Sequence, residues 1–221
     1  MFQKERPMKE HPVTFASGDL TLEGLIALPD DGGPTRGAVV CHPHPLYGGS
    51  MYNNVVDAAL AAMWRLGWAT LRFNFRGVGN SEGEHSGGPG EASDAAAAIK
   101  FLTSQPGVDA NGGVLAGYSF GSMAAMTAAP SINNLAALTL IALPIQMVDA
   151  SALNRFTHPI IFAAGDHDAY CPVKQLEALH RGLGARSQLK IVEGADHFFG
   201  GAEDELADAL EDMLRGIASV S

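Results

Sequence analysis

Apolar and polar positions along the chain follow two different periods. Short runs of consecutive apolar residues, typical of strands buried on both faces, alternate with segments in which apolar residues recur every three or four positions, typical of helices. The strand-like runs are residues 37–41, 69–73, 114–118, 135–143, 159–164 and 189–192, and the helical spacing occupies 54–66, 91–104, 123–129, 172–183 and 206–217. This alternation predicts an α/β fold in which a mostly parallel sheet carries helices on both faces.

The first thirty residues predict an antiparallel addition to that sheet. Two strand-like segments, 13–15 and 20–28, flank a turn at Ser17-Gly18-Asp19, which is typical of a hairpin. The hairpin brings the predicted sheet to eight strands. Because no repeat or long linker divides the chain, we expect an N-terminal tail over 1–11 and a single domain over 12–221. We also expect Asn54 to cap the first helix.

Charge and hydropathy narrow the class of protein. The 24 Asp and Glu residues against 14 Lys and Arg give a formal charge of −10, which repels a phosphate backbone, so nucleic acid is not an expected partner. No apolar run reaches the roughly 18 residues that a membrane-spanning helix needs. Residues 1–7 lack the apolar core of a secretory signal. We therefore expect a cytoplasmic protein that does not associate with membranes.

The strongest chemical signal is Gly117-Tyr118-Ser119-Phe120-Gly121, a G-x-S-x-G sequence between an apolar strand and a helix of small residues. In this context the serine occupies a tight, strained turn whose glycines avoid collisions with neighbouring backbone. The N-terminus of the following helix points its amides at the place where negative charge would develop. We predict that Ser119 is a nucleophile and that the amide of Phe120 is an oxyanion-hole donor.

A serine hydroxyl needs a base within hydrogen-bond reach and an acid that orients the base. His197 follows the last predicted strand and is the predicted base. Asp166 and Asp168 follow the strand before it, and both are candidates for the acid. Since the carboxyl ends of parallel strands share one edge of the sheet, these groups are expected to converge there. His85 and His167 lie in loops near that edge and are candidates for pocket residues.

The sequence His-Pro-His-Pro at 42–45 follows the third predicted strand. Its H-x-H spacing would suit a metal, but no later cluster supplies further ligands, so neither a metal nor another cofactor is expected. An oxyanion loop is the favoured interpretation. Because proline has no N–H, the second oxyanion donor must be the amide of His44, Leu46 or Tyr47, and His44 is preferred.

A glycine-rich segment over 75–83 follows the fourth predicted strand. It could be taken for a phosphate-binding loop, but it lacks the lysine of a P-loop and does not open a helix directly. Structural support behind the nucleophile turn is favoured, with Arg76 anchoring the loop through carboxylate or carbonyl contacts.

With these segments assembled, the chain resembles the small bacterial serine α/β-hydrolases of the His-Pro-His-Pro type. The similarity runs from the hairpin to the last helix and is carried by residues 42–49, 73–83, 117–121 and 195–199. The resemblance implies that the acid is Asp168, at the fourth position of G-x-x-D, and that the His44 amide is an oxyanion donor. Many relatives have glycine where this chain has Pro43.

Larger relatives insert a helical lid between the sixth and seventh strands. Only fifteen residues separate Leu143 from Pro159 here, which leaves room for one short helix, so we expect an open site without a lid. The expected activity is hydrolysis of small or short-chain carboxylic esters through an acyl-enzyme, and the expected partner is a small-molecule ester or thioester substrate. Acyl thioester hydrolysis is the alternative, and a non-catalytic binding protein of this fold is a second one.

Overall fold

A computed structural model of the chain describes residues 7–29 and 34–217, and the eight strands in these ranges form one sheet. The strands are β1 (His11–Ser17), β2 (Leu20–Ala27), β3 (Thr35–Cys41), β4 (Ala69–Phe73), β5 (Val108–Tyr118), β6 (Leu135–Ile141), β7 (Ile160–Gly165) and β8 (Ser187–Val192). Residues 1–6 of the expected tail lie outside the described ranges. β1 begins at His11, the last residue of that expected tail.

The strands lie in the order β1-β2-β4-β3-β5-β6-β7-β8. β2 runs antiparallel to both of its neighbours, and every other pair from β4 to β8 is parallel. β1 and β2 are joined by a two-residue turn in which Gly18 has a φ of +61°, a conformation that glycine adopts without strain. The predicted parallel sheet with an antiparallel N-terminal hairpin is confirmed.

Five helices pack on the two faces of the sheet within the described ranges. They are α1 (Asn54–Arg65), α2 (Pro89–Thr103), α3 (Phe120–Ala128), α4 (Val173–Leu183) and α5 (Glu203–Arg215). α1 and α5 cover one face, while α2, α3 and α4 cover the other. Because side chains alternate along a strand, Val39 of β3 packs on the face covered by α2, α3 and α4, and Val40 packs on the face covered by α1 and α5. No described helix is long and apolar enough to cross a membrane.

The cap of α1 differs from the expectation. Asn53, not Asn54, is the N-cap, and its side-chain oxygen accepts from the Val55 amide at 2.9 Å. Asn54 is the first helical residue, and its Nδ2 donates to the Phe198 carbonyl at 3.1 Å and to Glu203 Oε1 at 2.9 Å. Two adjacent asparagines suit the cap equally by sequence, and the tertiary contacts of the second one decide between them.

α2 begins at Pro89, two residues before the predicted start. Proline suits the first turn of a helix because its missing N–H would have no partner there. The Glu91 carboxylate then reaches back and accepts from the Gly88 amide at 2.7 Å, which satisfies one of the unpaired donors at this end.

The glycine-rich loop after β4 is tied to α2 by a buried carboxylate. Asp94 is fully buried and accepts from the Arg76 backbone amide at 3.1 Å, from Arg76 Nε at 2.9 Å and from Arg76 Nη2 at 2.8 Å. The Ser17 hydroxyl adds a fourth bond at 2.6 Å. Arg76 therefore anchors this loop through a carboxylate, as expected.

The connection between β6 and β7 holds two short 3-10 helices, Ile145–Met147 and Ala150–Arg155, instead of the single short helix expected. Neither is long enough to cover a site. The described connection therefore contains no lid domain, in agreement with the prediction.

Candidate active site

Ser119 lies at the turn between β5 and α3, with a φ of +53° and a ψ of −120°. Residues with a side chain rarely adopt this region, so the turn is strained and depends on its surroundings. The Ser119 amide donates to the Ile141 carbonyl of β6 at 2.9 Å, and its carbonyl accepts from the Ser122 amide at 2.9 Å. These bonds hold the serine at the carboxyl edge of the sheet.

Two close backbone approaches bring the loops of this edge together. A Cβ on Gly121 would lie 2.3 Å from the Cys41 carbonyl oxygen, so α3 begins directly against the end of β3. A Cβ on Gly165 would lie 2.1 Å from the Ala195 carbonyl oxygen, so the loops after β7 and β8 are in backbone contact. Only glycine permits either approach, since real Cβ contacts are never that short.

The three predicted triad residues meet in one hydrogen-bonded relay. Ser119 Oγ lies 2.9 Å from His197 Nε2, and His197 Nδ1 lies 2.8 Å from Asp168 Oδ2. The other carboxylate oxygen, Oδ1, accepts from the amides of Tyr170 at 2.8 Å and Cys171 at 2.9 Å. An ionised Asp168 accepts only, so the imidazole proton lies on Nδ1 and the lone pair of Nε2 faces the serine.

The structure distinguishes the two candidate acids. Asp166 Oδ1 lies 3.1 Å from His167 Nδ1, and this pair is partly exposed. His167, the other candidate for a pocket residue, is exposed, and its Nδ1 makes this contact with Asp166. Asp168, the acid that the family resemblance implies, is the aspartate in contact with His197.

Sequence reasoning missed the aromatic residues around His197. The Tyr118 hydroxyl donates to the His197 carbonyl at 3.0 Å. Burial first, and then the charges of Asp168 and Asp196, raise the pKa of Tyr118, so this hydroxyl keeps its proton. The ring centroids of Tyr118, Tyr170 and Phe198 lie 5.6, 4.7 and 5.5 Å from the centroid of the His197 imidazole. Tyr118 and Phe198 adjoin Ser119 and His197 in the sequence, and Tyr170 lies two residues after Asp168, which was the available signal.

Neither cysteine can serve as the nucleophile in its observed surroundings. Both are free and buried. Burial, followed by the charge of Asp168, raises the pKa of Cys171 to about 12, and burial likewise raises that of Cys41. A thiol attacks as the thiolate, so both groups are unreactive near neutral pH.

The oxyanion candidates can be narrowed from their hydrogen bonds. Phe120 is the first residue of α3, so its amide has no acceptor within the helix. In the His-Pro-His-Pro loop, the Leu46 amide donates to His44 Nδ1 at 3.2 Å and the Tyr47 amide donates to the His44 carbonyl at 3.1 Å. The His44 ring lies 4.7 Å from the Phe120 ring. Of the three loop candidates, the His44 amide is therefore the one not engaged by these bonds.

His42 supports the loop from inside. Its Nδ1 donates to the Pro43 carbonyl at 2.6 Å, and its Nε2 accepts from the Phe75 amide at 3.0 Å. Burial lowers the pKa of His42 to about 4, although the bond to Pro43 opposes this. Both nitrogens are thus used by a neutral ring that links the loops after β3 and β4. Within 7–29 and 34–217, no cluster of three or more His, Cys, Asp or Glu side chains is placed to hold a metal ion.

His85, one of the two candidates for a pocket residue, lies beside the rings of His44 and Phe120. Its ring is 4.9 Å from that of His44 and 5.4 Å from that of Phe120, and its Nδ1 lies 2.9 Å from Glu91 Oε1. Burial would raise the pKa of Glu91, but hydrogen bonds from Ser86 and the backbone outweigh it and keep the carboxylate ionised. Burial, and then the neighbouring His85, lower the pKa of His44.

The sequence of this chain matches a family model and a known relative. A model of the dienelactone hydrolase family matches residues 84–217, which is more than half of the chain. An uncharacterized protein of Rickettsia prowazekii (strain Madrid E) is 36% identical over 190 residues, which cover 82% of this chain and 79% of that protein.

Solved structures similar to this chain are α/β serine hydrolases. An α/β serine hydrolase homologue from Coxiella burnetii is 32% identical with a TM-score of 0.83, over 95% of this chain and 99% of its own. A serine hydrolase without a lid from Xanthomonas campestris is 28% identical with a TM-score of 0.83, over 99% of this chain and 100% of its own. The predicted α/β-hydrolase fold is confirmed, and these relatives support hydrolase activity.

The buried, neutral state of His42 predicts how stability depends on pH. Its pKa is about 4 in the folded chain and 6.5 when unperturbed, so below pH 6.5 the unfolded chain binds the proton first. The contribution of neutral His42 to the free energy of unfolding is therefore present above pH 6.5 and is lost as the pH falls toward 4. We expect the free energy of unfolding to fall from pH 7 to pH 5 by about 2 kcal/mol more in the wild type than in His42→Gln. Urea titrations at both pH values measure this, and equal falls in the two proteins would contradict it.

Proposed function

The chain belongs to the dienelactone hydrolase family, and from this premise we propose that it is a serine hydrolase that cleaves small carboxylic esters through an acyl-enzyme. The observation that carries the proposal is the relay from Ser119 Oγ to His197 Nε2 at 2.9 Å and from His197 Nδ1 to Asp168 at 2.8 Å. A nucleophile, its base and the group that orients the base are already at hydrogen-bond distance.

In the acylation step, Ser119 Oγ attacks the ester carbonyl carbon while His197 Nε2 takes the hydroxyl proton. Asp168 holds the imidazole in the tautomer that can accept this proton and stabilises the imidazolium that forms. His197 then gives the proton to the leaving alcohol oxygen as the carbon–oxygen bond breaks. The acyl group remains on Ser119.

The negative charge of the tetrahedral intermediate needs donors that are in place before the reaction. We assign this role to the amides of Phe120 and His44. The Phe120 amide begins a helix whose positive end faces the serine, and loss of one such donor typically raises the barrier by about 3 kcal/mol. His42, through its bonds to Pro43 and Phe75, holds the His44 loop in position.

Deacylation reuses the same groups with water as the nucleophile. His197 takes a proton from the water, the water oxygen attacks the acyl carbon, and the proton returns to Ser119 as the acid is released. The described β6–β7 connection contains only two short 3-10 helices, so water reaches the acyl-enzyme directly. An open site of this kind suits small or short acyl groups rather than long lipid chains, which need an enclosed apolar cavity.

Ester hydrolysis by purified protein tests the proposed function. With p-nitrophenyl butyrate as substrate, Ser119→Ala should lower kcat/KM by at least about 10⁴, because removal of the nucleophile ends covalent catalysis. Ser131→Ala is the matched control, because Ser131 is an exposed serine that follows the C-terminal end of α3. This variant should keep the wild-type rate. Hydrolysis that is equally fast in Ser119→Ala would contradict the proposal.

The two neighbouring aspartates provide a second test with a built-in control. Asp168→Asn removes the charge that orients and stabilises His197, and we expect kcat to fall by about 10³ to 10⁴. Asp166→Asn, two residues away and paired with the exposed His167, should change kcat by less than about threefold, as expected for an exposed pair. Far-ultraviolet circular dichroism checks that both variants fold. A larger loss at Asp166 than at Asp168 would show that the acid is misassigned.

A further inference from the structure

We propose that Tyr170 and Phe198 form the subsite for the alcohol half of the ester, and that this subsite favours flat aromatic alcohols. The inference rests on the proposed function, which it deepens by naming a substrate class. Three kinds of observation support it: the position of the two rings beside His197, their attachment to the relay and the charge around them.

Both rings contact the imidazole and are open to solvent. The Tyr170 ring lies 4.7 Å from that of His197 with 55% of the residue exposed, and the Phe198 ring lies 5.5 Å away with 62% exposed. Tyr118, the third ring at the imidazole, is buried and its hydroxyl is bonded to the His197 carbonyl. Of these three rings, the two exposed ones are available to a ligand that approaches His197.

The reaction itself places the alcohol next to these rings. His197 Nε2 must hand its proton to the leaving oxygen, so that oxygen comes within hydrogen-bond distance of the imidazole. Its substituent then extends past the groups that flank the imidazole on the open side. The acyl half lies toward the oxyanion donors, where the rings of His44, His85 and Phe120 are grouped.

The backbone on which the two rings are carried is fixed in advance. The Tyr170 amide donates to Asp168 Oδ1 at 2.8 Å, so the proposed acid also positions this residue. The Phe198 amide donates to Asp196 Oδ1 at 2.8 Å, and its carbonyl accepts from Asn54 at 3.1 Å. Binding a ligand between segments that are already ordered loses little conformational entropy, which favours affinity.

Shape and charge select the kind of alcohol. Exposed aromatic side chains gain most from a flat aromatic partner, which can stack on one ring and meet the other edge-on. The carboxylates of Asp166 and Asp196 lie on the same two loops, and the chain as a whole carries a formal charge of −10. A leaving group that carries phosphates would be repelled, so a neutral aromatic alcohol fits better than an anionic thiol.

The test compares benzyl butyrate with ethyl butyrate. The two esters share one acyl group and have alcohols of similar acidity, so their intrinsic reactivity differs little. We expect the wild type to favour the benzyl ester in kcat/KM by about tenfold or more. Tyr170→Ala and Phe198→Ala should each lower kcat/KM for the benzyl ester about three- to tenfold, while the value for the ethyl ester stays within twofold.

The deacylation rate and the comparison of the two esters distinguish binding of the alcohol by the two rings from an indirect effect of the rings on the position of His197. The acyl-enzyme no longer contains the alcohol, so the deacylation rate constant, measured with p-nitrophenyl butyrate, should stay within twofold in both variants. Tyr52→Ala is the control, since Tyr52 is an exposed tyrosine that stacks on Arg72 at 5.2 Å beside the hairpin. It should leave both esters and deacylation unchanged.

Each remaining outcome decides against one of the two proposals. Equal losses for both esters, or slower deacylation, would mean that the rings support His197 and would overturn the alcohol subsite. No loss in either variant would overturn it as well. If no ester is hydrolysed at all, the proposed function fails, and binding of benzyl alcohol to the native protein, followed by ligand-observed NMR, decides the subsite alone. Binding that is equally strong in Tyr170→Ala and Phe198→Ala would refute it.

Discussion

The imidazole of His197 is the group on which the rest of the site depends, because it is the only member of the relay that contacts both of the others. Its two bonds join Ser119 and Asp168 across 78 and 29 positions of sequence. Such a relay needs three loops at one edge of the sheet to be in near contact. Gly121 brings α3 against the end of β3, and Gly165 brings the loop after β7 against the loop after β8. The strained backbone of Ser119 is stable only in this setting.

Much of this arrangement could be predicted from the sequence, because its signals are local. Apolar period and turn residues predict the order of strands and helices, and the strand–G-x-S-x-G–helix context marks Ser119. The choice between Asp166 and Asp168 could not be made from local pattern, since both lie on one loop, and only the resemblance to a family separated them. The same holds for Asn53 and Asn54, where a contact to a loop 144 residues away decides which one caps α1. Contacts of that range leave no periodic trace in the sequence.

The aromatic surroundings of His197 were missed for a related reason. Tyr170 and Phe198 are two large residues in polar loops. Their sequence positions close to Asp168 and His197 place them near the relay, but do not indicate that both rings contact the same imidazole. The structure shows that they do, and that they stay exposed because no lid covers them. In a larger hydrolase, a lid would supply apolar surface for the substrate. In this chain the two rings are part of the apolar surface exposed at this edge of the sheet, and they are the part that lies beside the base.

The most direct test of the central claim is covalent labelling with a fluorophosphonate, followed by mass spectrometry of the digested protein. This reagent reacts with a serine only when a base activates its hydroxyl, and it mimics the tetrahedral intermediate. We expect one adduct per chain on Ser119, and we expect this adduct to be absent in His197→Ala. An adduct that persists in His197→Ala, or that forms on another residue of the native protein, would contradict the relay.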